Sequence, residues 1–442
     1  MKVQLSDHFT YKKLFGFVIP TICMMTVTSV YSVVDGFFVS NFVGKNALAA
    51  VNIVIPILLM LSAFGFMIGT GGSALAAKTI GEGNRKDANR YFSMLTYSII
   101  IFAGIVSVIG FILMPQIAKL LGASDKIMLD CIAYGRISFI SLTFFMLQNS
   151  FQSFLVTAQK AKLGLFFSII SGVNNVILDY LLVYKFQLGI KGAAYATMAS
   201  EILGGLLPLL YFASKNSSLL RLVKTKFELK PILTACSNGI SEMLTNISIS
   251  LVSIIYNRQL MRLAAENGVS AYGVIMYVSL IFMAFFFGYS IGINPIAGYN
   301  YGAKRDSELK NVLKKSLIIT ACASAVLFAA AFLLSPIIAE IFVGYDAELF
   351  SMTANAMKLY STSFLLCGFN IFTSAFFTGL NNGKLSGAVS FLRTLVFQVL
   401  CVSILPALLG INGIWISVTV SEILTLFFSA AFLIANRKKY RY

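Results

Sequence analysis

Long apolar stretches that lack charged side chains recur along the whole 442-residue chain. A helix needs about 20 apolar residues to cross the hydrocarbon core of a bilayer. Five stretches longer than this hold no Asp, Glu, Lys or Arg: Asn46–Ala77, Tyr91–Ala118, Asn267–Ala303, Ser316–Ala339 and Leu359–Gly383. Seven more hold one such residue each: Leu14–Gly44, Cys131–Gln159, Leu163–Tyr184, Gly192–Ser214, Pro231–Asn257, Leu385–Pro406 and Asn412–Asn436. The pattern predicts an all-α integral membrane protein with twelve transmembrane helices.

The second half of the chain repeats the first at an offset of 221 positions. Gly81 pairs with Gly302, and the tetrapeptide Ser-Glu-Ile-Leu at 200–203 recurs at 421–424. Each copy holds six spans, an even number, so both copies start on the same face of the membrane. This arrangement predicts parallel repeats related by an axis along the membrane normal, with a cleft between two lobes. We expect an N-terminal lobe at 1–214, a linker loop at 215–230 and a C-terminal lobe at 231–442.

The number and distribution of charged residues limit the classes of protein that this chain can belong to. The 34 Lys and Arg outnumber the 17 Asp and Glu, and most of them lie in alternate loops. This is the positive-inside bias, which predicts cytoplasmic termini in a cytoplasmic membrane and requires no nucleic acid. The single histidine, His8, precedes the first span, and the six cysteines show no metal-ligand spacing. Without a nucleophile, metal cluster or nucleotide-binding loop, we expect no enzyme and no cofactor.

Ionisable residues inside predicted spans are candidates for function, because the bilayer makes them costly. Asp35 lies on the first span, and Asn175 and Asp179 lie four residues apart on one face of the fifth. Thr197 and Glu201 repeat that spacing on the sixth. A pocket of such oxygens suits a hard cation, or two carboxylates that share a proton. Two alternatives stay open: Asp35 is solvated at the outer membrane surface, or the polar groups only join helices.

The repeat favours the first interpretation. At an offset of 221, the positions that match Asp35, Asn175, Asp179 and Thr197 hold Tyr256, Val396, Leu400 and Val418. None of these keeps the polarity, whereas scaffold residues are duplicated. We therefore expect an ion site that belongs to the N-terminal half.

Other residues in the spans receive separate interpretations. Glu201 recurs as Glu422, which favours a structural role, although either can face the cleft. Glu242 on the seventh span is a candidate contact for a cationic substrate. Pro20 is a candidate hinge on the helix that carries Asp35, because proline removes a backbone hydrogen bond. We expect the arginines of the spans, Arg136 and Arg393, to snorkel or to neutralise buried acids.

Several motifs in this order resemble the multidrug and toxic compound extrusion (MATE) transporters over essentially the whole chain. They are Val33-Val34-Asp35-Gly36, Gly81-Glu82-Gly83, Asn174 to Asp179, Gly189 to Ala194 leading to Thr197, and Pro295 to Gly302. The resemblance implies a V-shaped pair of lobes that exports cationic, amphipathic drugs against an inward H⁺ or Na⁺ gradient. We expect such a transporter to act as a monomer.

The resemblance also implies roles for single residues. One subgroup builds its ion site from the residues that match Asp35, Asn175, Asp179 and Thr197, and its first helix bends at the proline that matches Pro20. Asn149 and Gln152 fall where family members line the cleft, and we add Glu201 and Glu242 to this predicted substrate cavity. Other members pair a seventh-span Glu with a tenth-span Asp, but this chain has no acid on the tenth span.

Two alternative functions remain. The first is a lipid-linked oligosaccharide flippase of the same superfamily, although such proteins tend to have about fourteen spans and a basic cavity. The second is a channel or receptor without ion coupling.

Overall fold

Membrane-spanning helices make up the protein. The computed structural model describes residues 3–442, except the side chains at positions 40, 41, 45, 46, 48 and 266. In this part of the chain, eleven helices are long and apolar enough to cross a bilayer, and two shorter helices that meet at 47° form a twelfth span. The spans are α1 Tyr11–Phe38, α2 Ala49–Gly81, α3 Arg85–Leu120, α4 Met128–Thr157, α5 Ala161–Lys185, α6 Gly189–Ala213, α7 Leu229–Ala265, α8 Asn267–Gly302, α9 Asp306–Val343, α10 Ala347–Ser361 with Phe364–Gly379, α11 Gly383–Leu409 and α12 Ile411–Tyr440. The predicted all-α membrane fold is confirmed.

Several helices begin before the apolar stretches that predict them. The third stretch starts at Tyr91, but α3 starts at Arg85, because the Asn84 side chain caps it by accepting a hydrogen bond from the Asp87 backbone N–H at 3.1 Å. Similarly, Asp346 caps the first half of α10, which therefore starts well before the stretch at 359–383. Hydropathy marks the hydrocarbon core, whereas capping side chains decide where a helix starts.

Local irregularities interrupt the helices at particular points. α7 passes into α8 through Ala264 and Ala265, whose backbone angles are not helical. Wider π-helical turns occur at the end of α5, over Asp179–Lys185, and inside α11, over Leu392–Val396. Such turns are rare and are frequent at functional sites. These two turns begin at, or next to, an ionisable residue that the sequence singled out, whereas a third, over Val39–Val43 after α1, does not.

Each lobe has its own apolar core, and a third cluster joins the two lobes. The first core draws mainly on α2 to α6, with Ala235 from the start of α7, and includes Phe92 and Phe151. The second draws on α7 to α12 and includes Trp415. The third cluster lies at the membrane face that carries both chain ends, and it contains Phe9 and Tyr442. The lobes are therefore fastened together at that face.

Glycines let the lobes approach closely in a symmetric way. A Cβ atom on Gly81 of α2 would lie 2.2 Å from the Tyr299 carbonyl oxygen of α8, and one on Gly302 would lie 2.1 Å from that of Lys78. The two contacts are equivalent, because an offset of 221 residues turns Gly81 into Gly302 and Lys78 into Tyr299. Equivalent surfaces of α2 and α8 therefore face each other. Reciprocal contacts of this kind are what a twofold axis produces. They support the parallel arrangement of the repeats.

Candidate functional site

α1, α5 and α6 bring the four predicted ion-site residues together inside the N-terminal lobe. The Thr197 hydroxyl donates a hydrogen bond to Asp35 Oδ1 at 3.4 Å. The carboxyl groups of Asp35 and Asp179 adjoin each other. Asn175 lies one turn before Asp179 on the same face of α5, and both side chains are buried. Asp35 itself is half-buried, so it remains partly accessible to solvent beside these residues.

Two members of this cluster, hereafter the acid cluster (Asp35, Asn175, Asp179 and Thr197), have buried acceptor oxygens without hydrogen-bond donors. Among the residues that the structure describes, no group donates to either carboxylate oxygen of Asp179 or to Oδ1 of Asn175. Buried acceptors without donors are costly, and adjoining carboxylates also repel each other. A proton or a hard cation would relieve both costs. The oxygen-only donor set fits a bound Na⁺ in chemical type.

Glu201 adds a third carboxyl group beside the acid cluster. It lies on α6, one turn after Thr197, next to Ser141 of α4 and within electrostatic reach of Asp35. The structure thus places the half-buried Glu201 beside Asp35 in the N-terminal lobe.

Two tyrosines that the sequence interpretation missed also face these acids. Tyr31 lies one turn before Asp35 on α1 and adjoins Gln148. Tyr134 of α4 is buried and lies within reach of Asp35, Asp179 and Glu201. The spacing of Tyr31 from Asp35 is the signal that could have found it. Tyr134 has no comparable signal in the sequence.

In the C-terminal lobe, unlike in the acid cluster, the buried acid has hydrogen-bond donors. Arg393, in the π-helical turn of α11, donates from Nε to Glu422 Oε1 of α12 at 2.8 Å. Asn370 Nδ2 donates to the other carboxylate oxygen of Glu422 at 2.7 Å, and Ser429 donates to Asn370 Oδ1. Glu242 of α7 lies within electrostatic reach of Arg393. Arg393 therefore neutralises buried acids, as predicted.

Arg393 and Glu422 line a partly open cavity of about 160 Å³ that lies between α7, α8, α10, α11 and α12. Its walls include Tyr256 and Tyr272, whose rings stack at 5.1 Å between centroids. The other span arginine, Arg136, lies over the Phe111 ring on the N-terminal lobe.

The remaining predicted residues occupy separate places. Asn149 and Gln152 of α4 are buried, and Gln152 lines a small cavity with Met24 and Gly204. Pro20 is buried inside α1, fifteen residues before Asp35. Just beyond it, the α1 backbone at Ile22 packs against Gly288 of α8. α1 thus links the acid cluster to the contact between the lobes.

Comparisons with known proteins agree with this architecture. The MatE family profile matches residues 20–181 and again residues 242–403. The multidrug export protein MepA of Staphylococcus haemolyticus is 23% identical over 435 residues, 97% of this chain and 94% of that protein.

Two solved structures share the fold. An outward-facing multidrug resistance MATE family transporter of the MOP superfamily has a TM-score of 0.92 at 21% identity, covering 100% of this chain and 98% of that one. A MOP superfamily transporter from Pyrococcus furiosus, described as having a binding pocket of reverse polarity, has a TM-score of 0.91 at 20% identity, covering 98% of each chain. Since the two profile matches occupy most of the chain, one in each half, this chain belongs to the MATE family of transporters.

Proposed function

We propose that this protein is a cation-coupled antiporter that exports cationic, amphipathic drugs and toxins by alternating access. Membership of the MATE family makes the chain a multi-pass membrane transporter and not an enzyme. The named relatives are multidrug export proteins, which supports drugs as the substrate class. The coupling ion, H⁺ or Na⁺, is part of the proposal, and so are a monomeric state and a cytoplasmic membrane with both termini inside.

The acid cluster is the observation that carries the proposal. Asp35 and Asp179 adjoin, Asp179 is fully buried, and described neighbours donate no hydrogen bond to its carboxylate. Binding of one cation there removes the repulsion and supplies the missing partner. Because Asn175 and Thr197 add neutral oxygens, the four residues together can hold Na⁺, while the two aspartates alone can share a proton.

Export follows if occupation of the acid cluster changes α1. We propose that Pro20 is the hinge, since the helix lacks a backbone hydrogen bond there and packs on α8 just beyond it. Ion binding at Asp35 then shifts α1 relative to the opposite lobe and disfavours the drug-bound cleft. Glu201, beside Asp35, would couple the acid cluster to a substrate path that includes Asn149, Gln152 and Glu242.

The test is ethidium efflux from right-side-out membrane vesicles, with the pH gradient and the Na⁺ gradient imposed separately. The wild type should respond to one of these gradients. Asp35→Asn and Asp179→Asn should reduce efflux to the rate seen without a gradient. Asp125→Asn is the matched control, because it removes the same charge from an exposed position outside the spans. Gradient-dependent efflux of wild-type size in both cluster variants would overturn the proposal.

A further inference from the structure

A basic groove opens on the face of the N-terminal lobe that carries both chain ends. It lies between α1, the turn from α4 to α5, and the segment after α6. Its fourteen described lining residues include three lysines and no acid: Val3, Gly16, Phe17, Pro20, Gln159, Lys160, Ala161, Lys162, Leu163, Tyr211, Ser214, Lys215, Asn216 and Ser217. An acid-free lining with three lysines attracts an anion.

The groove is polar at one side and apolar at the other. Lys160 Nζ lies 3.2 Å from the Ser217 hydroxyl, so lysine and hydroxyl groups converge. α5 begins at Ala161 in the same wall, so the positive end of its helix dipole lies at the groove. Phe17 and Leu163 provide the apolar side. A ligand that fits both sides carries a phosphate and an apolar portion.

Its position selects a lipid as the source of that phosphate. The lysines directly follow the ends of two spans, α4 at Thr157 and α6 at Ala213, where a bilayer presents its headgroups. Basic pockets between spans at this depth bind anionic headgroups. We propose that this groove binds the phosphate headgroup of an anionic phospholipid. The bound lipid would contact α1 beside Pro20.

The opposite lobe shows that the scaffold does not require such a groove. Gln159 before α5 and Asn381 before α11 occupy equivalent turns, and both have left-handed backbone angles. Where the first turn continues with Lys160, the second continues with Asn382. The pocket beside Asn381 has one lysine, Lys230, among its described lining residues. Lys162 has a counterpart in Lys384 but Lys160 has none, so the pocket beside Asn381 is less basic than the groove.

Native mass spectrometry of the purified full chain tests the proposal. Phosphatidylglycerol and phosphatidylcholine with identical acyl chains are titrated separately, and bound lipid is counted. The wild type should retain phosphatidylglycerol at lower concentration than phosphatidylcholine. Each lysine removed should weaken that binding about fivefold, so K160A/K162A/K215A should abolish the preference.

The control variant is K226A/K230A/K384A, which removes the same charge from exposed lysines of the same face outside the groove. It should keep the preference of the wild type. The proposal is overturned if the groove variant keeps the preference, or if both variants lose it equally. A parallel titration with inorganic phosphate separates the two phosphate sources. Displacement of phosphatidylglycerol by phosphate at equal concentration would make free phosphate the ligand and contradict the lipid proposal.

Discussion

The two lobes place a glutamate at the same point of the same tetrapeptide but compensate its charge in opposite ways. In the C-terminal lobe, Glu422 receives hydrogen bonds from Arg393 and Asn370. In the N-terminal lobe, the matching Glu201 lies near Asp35, which adjoins Asp179, and no described lysine or arginine forms a salt bridge with any of the three. In the C-terminal lobe, the cation that compensates the buried glutamate is a side chain of the protein, Arg393. In the proposed mechanism, the other lobe takes its cation from solution.

This difference explains how the two copies of a duplicated fold can take different roles. The contacts that hold the lobes together are shared, as the reciprocal approaches of Gly81 and Gly302 show. What diverged is the balance of charge inside each bundle. A built-in arginine gives a permanently compensated site, while an acid cluster without one is compensated only when an ion binds. Removal of a charge should therefore change the stability of the two sites with opposite sign.

Removal of the built-in cation should have the largest effect. Arg393→Met leaves Glu422 buried without its charged partner and should lower the free energy of unfolding by about 4 kcal/mol. The double variant R393M/E422Q should regain most of this loss, because the acid that Arg393 bonds directly no longer carries a charge. Chemical unfolding in detergent measures all three proteins. Equal losses in the single and double variants would show that Arg393 stabilises by packing rather than by charge.

Removal of an acid from the acid cluster should have the opposite sign. Asp179→Asn removes one of two adjoining carboxylates and supplies a donor, so in Na⁺-free alkaline buffer it should raise the free energy of unfolding by about 3 kcal/mol. At acid pH the gain should vanish, since a proton already relieves the wild-type pair. Thermal unfolding across pH checks this. Glu422→Gln is the comparison and should destabilise, because it leaves Arg393 unpaired; a gain in both variants would remove the distinction between the lobes.

The shared scaffold should respond equally from both sides. Gly81→Ala and Gly302→Ala each force a Cβ atom against a backbone carbonyl of the other lobe, and each should cost about 2 kcal/mol. Gly104→Ala on α3 is the control, since a Cβ there meets no atom within 4 Å. If only one of the two variants, Gly81→Ala or Gly302→Ala, unfolded like the Gly104→Ala control, the two contacts between the lobes would not be equivalent.

The sequence predicted those parts of the molecule that a repeat or a charge reveals. Twelve spans follow from missing charges, and the convergence of Asp35 with Asp179 followed from polarity that the repeat did not duplicate. Other features leave no such trace. Tyr134 faces three acids, but a tyrosine in a span is most often packing. The π-helical turn at Asp179 and the bend of α10 depend on how neighbouring helices pack, and hydropathy does not record packing.

The smallest expected effect concerns the neutral member of the acid cluster, and its sign identifies the coupling ion. Thr197→Val keeps the shape of the side chain but removes the hydroxyl that donates to Asp35 at 3.4 Å. The change is worth about 1 kcal/mol, or about fivefold in ion affinity. If Na⁺ is the coupling ion, a ligand oxygen is lost, and half-maximal export should need about fivefold more Na⁺. If H⁺ is the ion, the ionised Asp35 loses a donor, and half-maximal export should occur at a lower proton concentration.

Thr96→Val on α3 is the matched control, because its hydroxyl bonds only the Phe92 carbonyl within its own helix. Unchanged dependence on both ions in the Thr197 variant would place its hydroxyl outside the coupling site, leaving the two aspartates and Asn175 as the groups that distinguish this lobe from its partner.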